Sequence, residues 1–159
     1  MEYSEDTVME TRGLTFSYDG EQNILENLDF AILAGKVTVL MGANGCGKST
    51  LFKLMTKNLY PDEGSIILEG EDIDEMRLKD FAKKVAIVHQ NNTAPPDLTV
   101  ERLVGYGRTP YLGAFQTAGG QEDEEAVEWA MEITDVKKHR NKSVAELSGG
   151  QRQRVWIAM

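Results

Sequence analysis

One eight-residue stretch, Gly42-Ala43-Asn44-Gly45-Cys46-Gly47-Lys48-Ser49, restricts this chain to few architectures. Its spacing is G-x-x-x-x-G-K-S, the glycine-rich loop that cradles phosphates. Such a loop works between a strand and a helix. The glycines let the backbone turn its N–H groups inward around a β-phosphate, and the helix behind offers its N-terminus to the anion. The flanking sequence supplies both elements. Lys36-Val37-Thr38-Val39-Leu40-Met41 is a short apolar, β-branched run expected to form a buried strand. Ser49-Thr50-Leu51-Phe52-Lys53-Leu54-Met55 reads as a helix with Leu51, Leu54 and Met55 on one face. Lys48 is placed to reach the β- and γ-phosphates, and Ser49 to offer its hydroxyl to Mg²⁺. The loop residues Gly42, Asn44, Gly45, Cys46 and Gly47, with Thr50 just inside the helix, complete the expected nucleotide contacts.

The rest of the chain reads as an α/β protein. Residues 9–32 have the alternation of an antiparallel pair, Leu14-Thr15-Phe16-Ser17-Tyr18 against Asn27-Leu28-Asp29-Phe30-Ala31-Ile32, with a turn at Asp19-Gly20. Pro61-Asp62-Glu63-Gly64 reads as a turn and Ser65-Ile66-Ile67-Leu68-Glu69-Gly70 as a strand. A short helix is expected over 77–82, then a second buried strand, Val85-Ala86-Ile87-Val88, and a polar loop over 91–96. From 97 to 146 the pattern is mainly helical. In 121–134, Ala126, Trp129, Ala130 and Ile133 share one face, and the acidic run 122–125 lies in the first turn, where the helix dipole favours it.

A second motif, Leu147-Ser148-Gly149-Gly150-Gln151, stands about a hundred residues after the first. Ser148 and the N–H groups of Gly149 and Gly150 open a helix and present a second anion-binding end. The two motifs in this order resemble the ATP-binding subunit of an ABC (ATP-binding cassette) transporter. The resemblance implies a P-loop core with an N-terminal antiparallel β subdomain (1–35), a core from the P-loop to the Q-loop (36–96) and a helical signature subdomain (97–159). It implies that Tyr18 stacks on adenine and that Gln90, at the end of the second strand, acts catalytically with Lys48 and joins Ser49 as a Mg²⁺ ligand. It implies that Ser148, Gly149, Gly150 and Gln151 cap the γ-phosphate held by a second subunit, so that ATP joins two copies head to tail. Leu98-Thr99-Val100-Glu101-Arg102-Leu103-Val104, with Gly107-Arg108-Thr109-Pro110-Tyr111, is similar to the segment found in importers of siderophores, haem and cobalamin. The helix from Arg152 to Met159 is similar to theirs as well. A membrane permease and, indirectly, a substrate-binding protein are the partners this implies, with ATP and Mg²⁺ as cofactors.

Charge and composition agree. The net charge of −9 disfavours nucleic acid and anionic lipid as partners, since both need clustered Lys and Arg. No apolar run approaches the ~18 residues of a membrane helix, and the acidic start lacks the pattern of a signal peptide. The expected location is cytoplasmic, peripheral on the inner face of the membrane through the permease. The single cysteine, Cys46, allows no internal disulfide. Any small residue fits its slot, though alkylation there should obstruct phosphate entry.

The chain departs from the family's pattern after the signature. The family continues to a strand ending in Asp-Glu, which supplies a Mg²⁺ ligand and the group that polarises water, and later to a switch histidine. None of these falls within the 159 residues. His89 and His139 precede the signature and do not match that position. The expectation is a chain truncated after the signature motif, less stable or self-associating, with exposed apolar surface where a central strand would sit. Two alternatives are a nucleotide-binding fragment without turnover and an ABC ATPase unconnected with transport. For a chromosome or DNA-repair ATPase the interval from Gln90 to Ser148 is too short to hold a long coiled coil. A translation-associated member would carry two cassettes.

Overall fold

The computed structural model describes residues 6–90, 92–113 and 120–159. The acidic start (1–5) and Asn91 of the polar loop lie outside the described residues. The chain divides into two compact units, Met1–Phe81 and Ala82–Met159.

The first unit is an antiparallel sheet with one helix behind it. The strands are β1 (Thr7–Ser17), β2 (Asn23–Leu33), β3 (Glu63–Leu68) and β4 (Glu71–Asp72), in the order β2-β1-β3-β4. The β1–β2 pair follows the alternation of the sequence: Leu14 lies opposite Leu28 and Phe16 opposite Leu25. The β3–β4 turn is Glu69-Gly70, both with positive φ (52° and 85°), the geometry of a tight hairpin whose twist matches its strands. Leu14, Phe16, Leu25, Ile66 and Leu68 are buried on the sheet. Helix α1 (Lys48–Met55) contacts β2 and buries Thr50, Leu51, Leu54 and Met55, the face its period indicates. Burial of those three large apolar side chains contributes roughly 1.5–3 kcal/mol each.

Two expected strands do not form. Residues 36–41 and 85–88 are in no strand. Val37, Val39 and Met41 are 91%, 70% and 84% exposed. A parallel strand is stabilised by neighbours that take up its N–H and C=O groups, and no described segment pairs with either run. The 159-residue chain expressed alone should therefore self-associate. Light scattering is expected to show oligomers, and Val37→Lys with Val39→Lys should shift them toward monomer. A monodisperse wild-type monomer would contradict this.

Helix α2 (Leu78–Lys84) buries only Phe81 and crosses the division at 81/82. The second unit is helical: α3 (Val100–Tyr106), α4 (Gln121–Ile133) and α5 (Gly149–Ala158), with short 3₁₀ turns at Thr109–Tyr111, Lys137–His139 and Val144–Glu146. Its core gathers Val100, Leu103 and Val104 of α3, Met131 of α4, Val155 of α5, and Val136 and Val144 between them. The face expected on α4 is corrected. Trp129 and Ile133 are exposed, and Met131 is fully buried, with Val127 and Ala130 against the core. Apolar residues on α4 cover more than half its circumference, so periodicity left the facing side open. The segment after the Q-loop is fastened to the one before the signature. Val144 N–H donates to Leu98 O (2.9 Å), Val100 N–H to Lys142 O (3.0 Å), and Ser143 Oγ to Pro96 O (2.5 Å).

Candidate functional site: the P-loop and the signature turn

The P-loop lies in the first unit. Gly47 caps α1 with φ +90°, a left-handed conformation suited to glycine. A Cβ there would come within 2.8 Å of Leu25 Cδ2 and 3.2 Å of Ile24 O, so this glycine also allows the loop to lie on β2. A Cβ on Gly42 would meet Cys46 Sγ at 2.8 Å, so the two ends of the loop fold on each other. Lys48 Nζ donates to Gly42 O (2.8 Å) and Ala43 O (2.6 Å) and lies 3.5 Å from Cys46 Sγ. The lysine is thus folded over its own loop. The first N–H groups of α1 have no partner within the helix, as at any helix start. Asn44, Gly45, Cys46 and Ser49 are exposed, and Thr50 is buried.

The sheet brings Tyr18 to the same place. Its Oη lies 3.3 Å from Thr50 Oγ1, with either atom able to donate, and its ring meets Phe16 edge-on at 4.9 Å. Tyr18 as a whole remains exposed. The next residue sets the turn. The N–H groups of Glu21 and Gln22 donate to Asp19 Oδ1, as does Ser17 Oγ, and these bonds, led by Glu21, lower the Asp19 carboxyl from 3.8 to about 2. A depressed carboxyl stabilises the fold above its unfolded value and loses that contribution as pH falls through the folded one. The stabilisation of the turn beside Tyr18 should therefore fade as pH falls from about 3.8 to about 2. A carboxyl NMR titration is expected to place the Asp19 midpoint near 2. A midpoint near 3.8 would mean that the turn is not formed.

Gln90 and the signature lie in the second unit, apart in sequence from the P-loop by the division at 81/82. Gln90 is exposed in a bend, and Asn92 Nδ2 donates to His89 O beside it (2.8 Å). At the signature, Ser148 is the N-cap of α5 and Gln151 closes a capping box. Gln151 N–H donates to Ser148 Oγ (3.4 Å) and Ser148 N–H to Gln151 Oε1 (2.9 Å). Gly149 and Gly150 form the exposed first turn, with open space where a Cβ would stand. Gln151, expected among the phosphate contacts, spends its side chain on the cap and on His139, whose Nε2 lies 3.2 Å from Gln151 Nε2. The capping signal Ser-x-x-Gln was present in the sequence. His139 carried no such signal.

An inward-folded lysine over a glycine-rich loop, with an open helix end behind it, defines the P-loop class of nucleotide-binding proteins. Within that class the chain belongs to the ABC transporter family, whose pattern matches residues 25–159. It is 43% identical over 151 residues to the iron(3+)-hydroxamate import ATP-binding protein FhuC of Bacillus subtilis (strain 168), covering 95% of this chain and 55% of that protein. It is 43% identical over 156 residues to the ferric enterobactin transport ATP-binding protein FepC of Escherichia coli (strain K12), covering 97% and 57%. Among solved structures it resembles cbiO1 from Clostridium perfringens, part of the ABC transporter complex cbiONQ, with a TM-score of 0.80 and 28% identity over 97% of this chain and 61% of that one. The chain spans about half the length of the curated relatives it matches. Among the described residues, no helix is long and apolar enough to cross a membrane.

Proposed function

We propose that this chain is the nucleotide-binding part of an ATPase subunit that powers import of a metal chelate, of the iron-siderophore, haem or cobalamin type, through a membrane permease. The observation that carries the reading is the P-loop itself, with Lys48 folded over the Gly42 and Ala43 carbonyls and Tyr18 hydrogen-bonded to Thr50. The relatives' names favour import of iron chelates in particular. In this reading the Gly42–Gly47 loop wraps the phosphates and Lys48 neutralises the β- and γ-phosphates. Tyr18 stacks on the base with its exposed face. Ser49 and Gln90 hold Mg²⁺, which would neutralise phosphate charge during transfer to water. The Ser148-Gly149-Gly150 turn presents its N–H groups to the γ-phosphate of a second copy.

A second reading concerns the 159 residues by themselves. The unpaired runs at 36–41 and 85–88 favour binding without turnover, because the run that leads into the P-loop has no neighbouring strand to fix it. Titration of fluorescent ATP, with Mg²⁺ and then with EDTA, tests the first part. Saturable, Mg²⁺-dependent binding supports it, and linear uptake overturns it. Phosphate release measured on the same sample separates turnover from binding alone.

A further inference from the structure

We propose that His139 is the positioning residue of the signature turn: its Nε2 accepts a hydrogen bond from the Gln151 amide and so holds the Ser148 cap in the shape that meets a second copy's nucleotide. The last clause rests on the function proposed above. The rest stands on the hydrogen bonds.

The Ser148 N–H fixes the orientation of the Gln151 side chain. An N–H can only donate, so the amide atom 2.9 Å from it is the oxygen, and the nitrogen faces His139 at 3.2 Å. An amide nitrogen carries donors only. His139 Nε2 must therefore be the acceptor, and the proton of the neutral ring sits on Nδ1. Nδ1 is buried and has no partner among the described residues. A histidine free to choose would place its proton where an acceptor waits. Here the unpartnered proton is tolerated, and the bond that is kept is the one to Gln151.

The ring also stands on a fixed support. His139 N–H donates to Val136 O (2.8 Å), and its carbonyl accepts from Lys142 N–H (2.8 Å). Val136 is fully buried. Ion pairs tie the support to α4 on both sides of the histidine, Lys137 to Glu128 (2.7 Å) and Arg140 to Glu128 (3.2 Å). The Gln151 side chain has several rotatable bonds, and without a partner at its nitrogen it gains freedom that competes with the cap. His139 thus determines how long the turn stays closed, while Ser148 and Gln151 determine its shape.

The test uses the whole 159-residue chain, labelled with ¹⁵N. Long-range imidazole spectra are expected to show the proton on Nδ1 of His139. A proton on Nε2 would overturn the proposal. Hydrogen exchange at the Ser148 amide is then compared in His139→Leu and His139→Gln, since a glutamine can return an acceptor oxygen near the Nε2 position. His139→Leu should speed that exchange roughly tenfold, with Leu103 of α3 unchanged as the control for folding, and His139→Gln should restore it. In a Gln151→Ala background, His139→Leu should add nothing. Equal Ser148 exchange in all variants, or an undiminished effect without Gln151, defeats the positioning role. MgATP-dependent self-association read on the same proteins distinguishes the two layers. Its absence in the wild type defeats the nucleotide reading but not the positioning. Equal association of wild type and His139→Leu defeats the claim that positioning serves the nucleotide.

Discussion

Lys48→Ala is expected to weaken binding of fluorescent MgATP by roughly 10²-fold while leaving the melting temperature nearly unchanged. The lysine now bonds to two carbonyls of its own loop, Gly42 O and Ala43 O. With a nucleotide present it exchanges neutral acceptors for anionic phosphate oxygens. A hydrogen bond to a charged group contributes about 1.5–3 kcal/mol net, about twice a neutral one. Two such exchanges, less the carbonyl contacts given up, leave about 2–3 kcal/mol, and 1.4 kcal/mol is a factor of ten. The fold has little stake in Lys48, which is half-exposed and bonded only within the loop. Isothermal titration of both proteins measures the difference. Equal affinities would mean that the loop does not take phosphates.

Gly64→Ala should be the most damaging single-methyl change in the first unit, at about 3–5 kcal/mol. Gly64 has φ +83° inside β3, which costs an L-residue about 1–2 kcal/mol. A Cβ there would lie 2.4 Å from Arg12 O and 2.5 Å from Gly13 O. These are backbone atoms of β1, so they yield only if the strand pair shifts. The pairing of β1 with β3 is already irregular between Arg12 and Thr15, and the contact falls within that irregularity. Clash and conformation act at one residue, and together they reach the tail of single-mutation effects. Gly45→Ala is the control: its φ is +83° too, but a Cβ there meets nothing within 4 Å. It should lose only the conformational part. Urea unfolding followed by circular dichroism compares them, and equal losses would show that the β1 carbonyls do yield.

What the sequence made legible follows the range over which each signal acts. The β1–β2 alternation, the face of α1 and the glycine pattern of the loop are local, and the structure has all three. Of the turn expected at 61–64, Asp62 lies in a bend, while Glu63 and Gly64 already belong to β3, where Gly64 lies against the Arg12 and Gly13 carbonyls. Residues 36–41 and 85–88 carry the composition of buried strands but no strand forms. Composition reports what a segment tolerates, whereas a strand needs a partner elsewhere in the chain. On α4 the apolar residues offered two faces, and packing of Met131 against α3 and α5 chose between them. His139 was invisible because its partner is set by the path of the chain around Val136, for which no spacing rule exists.

The backbone bonds between 96–101 and 140–144 give the second unit a lever. Val100, Val144 and Ser143 tie the stretch that follows Gln90 to the stretch that leads into Ser148. Neither stretch can slide without breaking several bonds or carrying the other along. Strain applied at 96–101 therefore arrives at the stretch leading into α5 as displacement, and the signature inherits the stiffness of a two-stranded joint although it sits at the end of a helix.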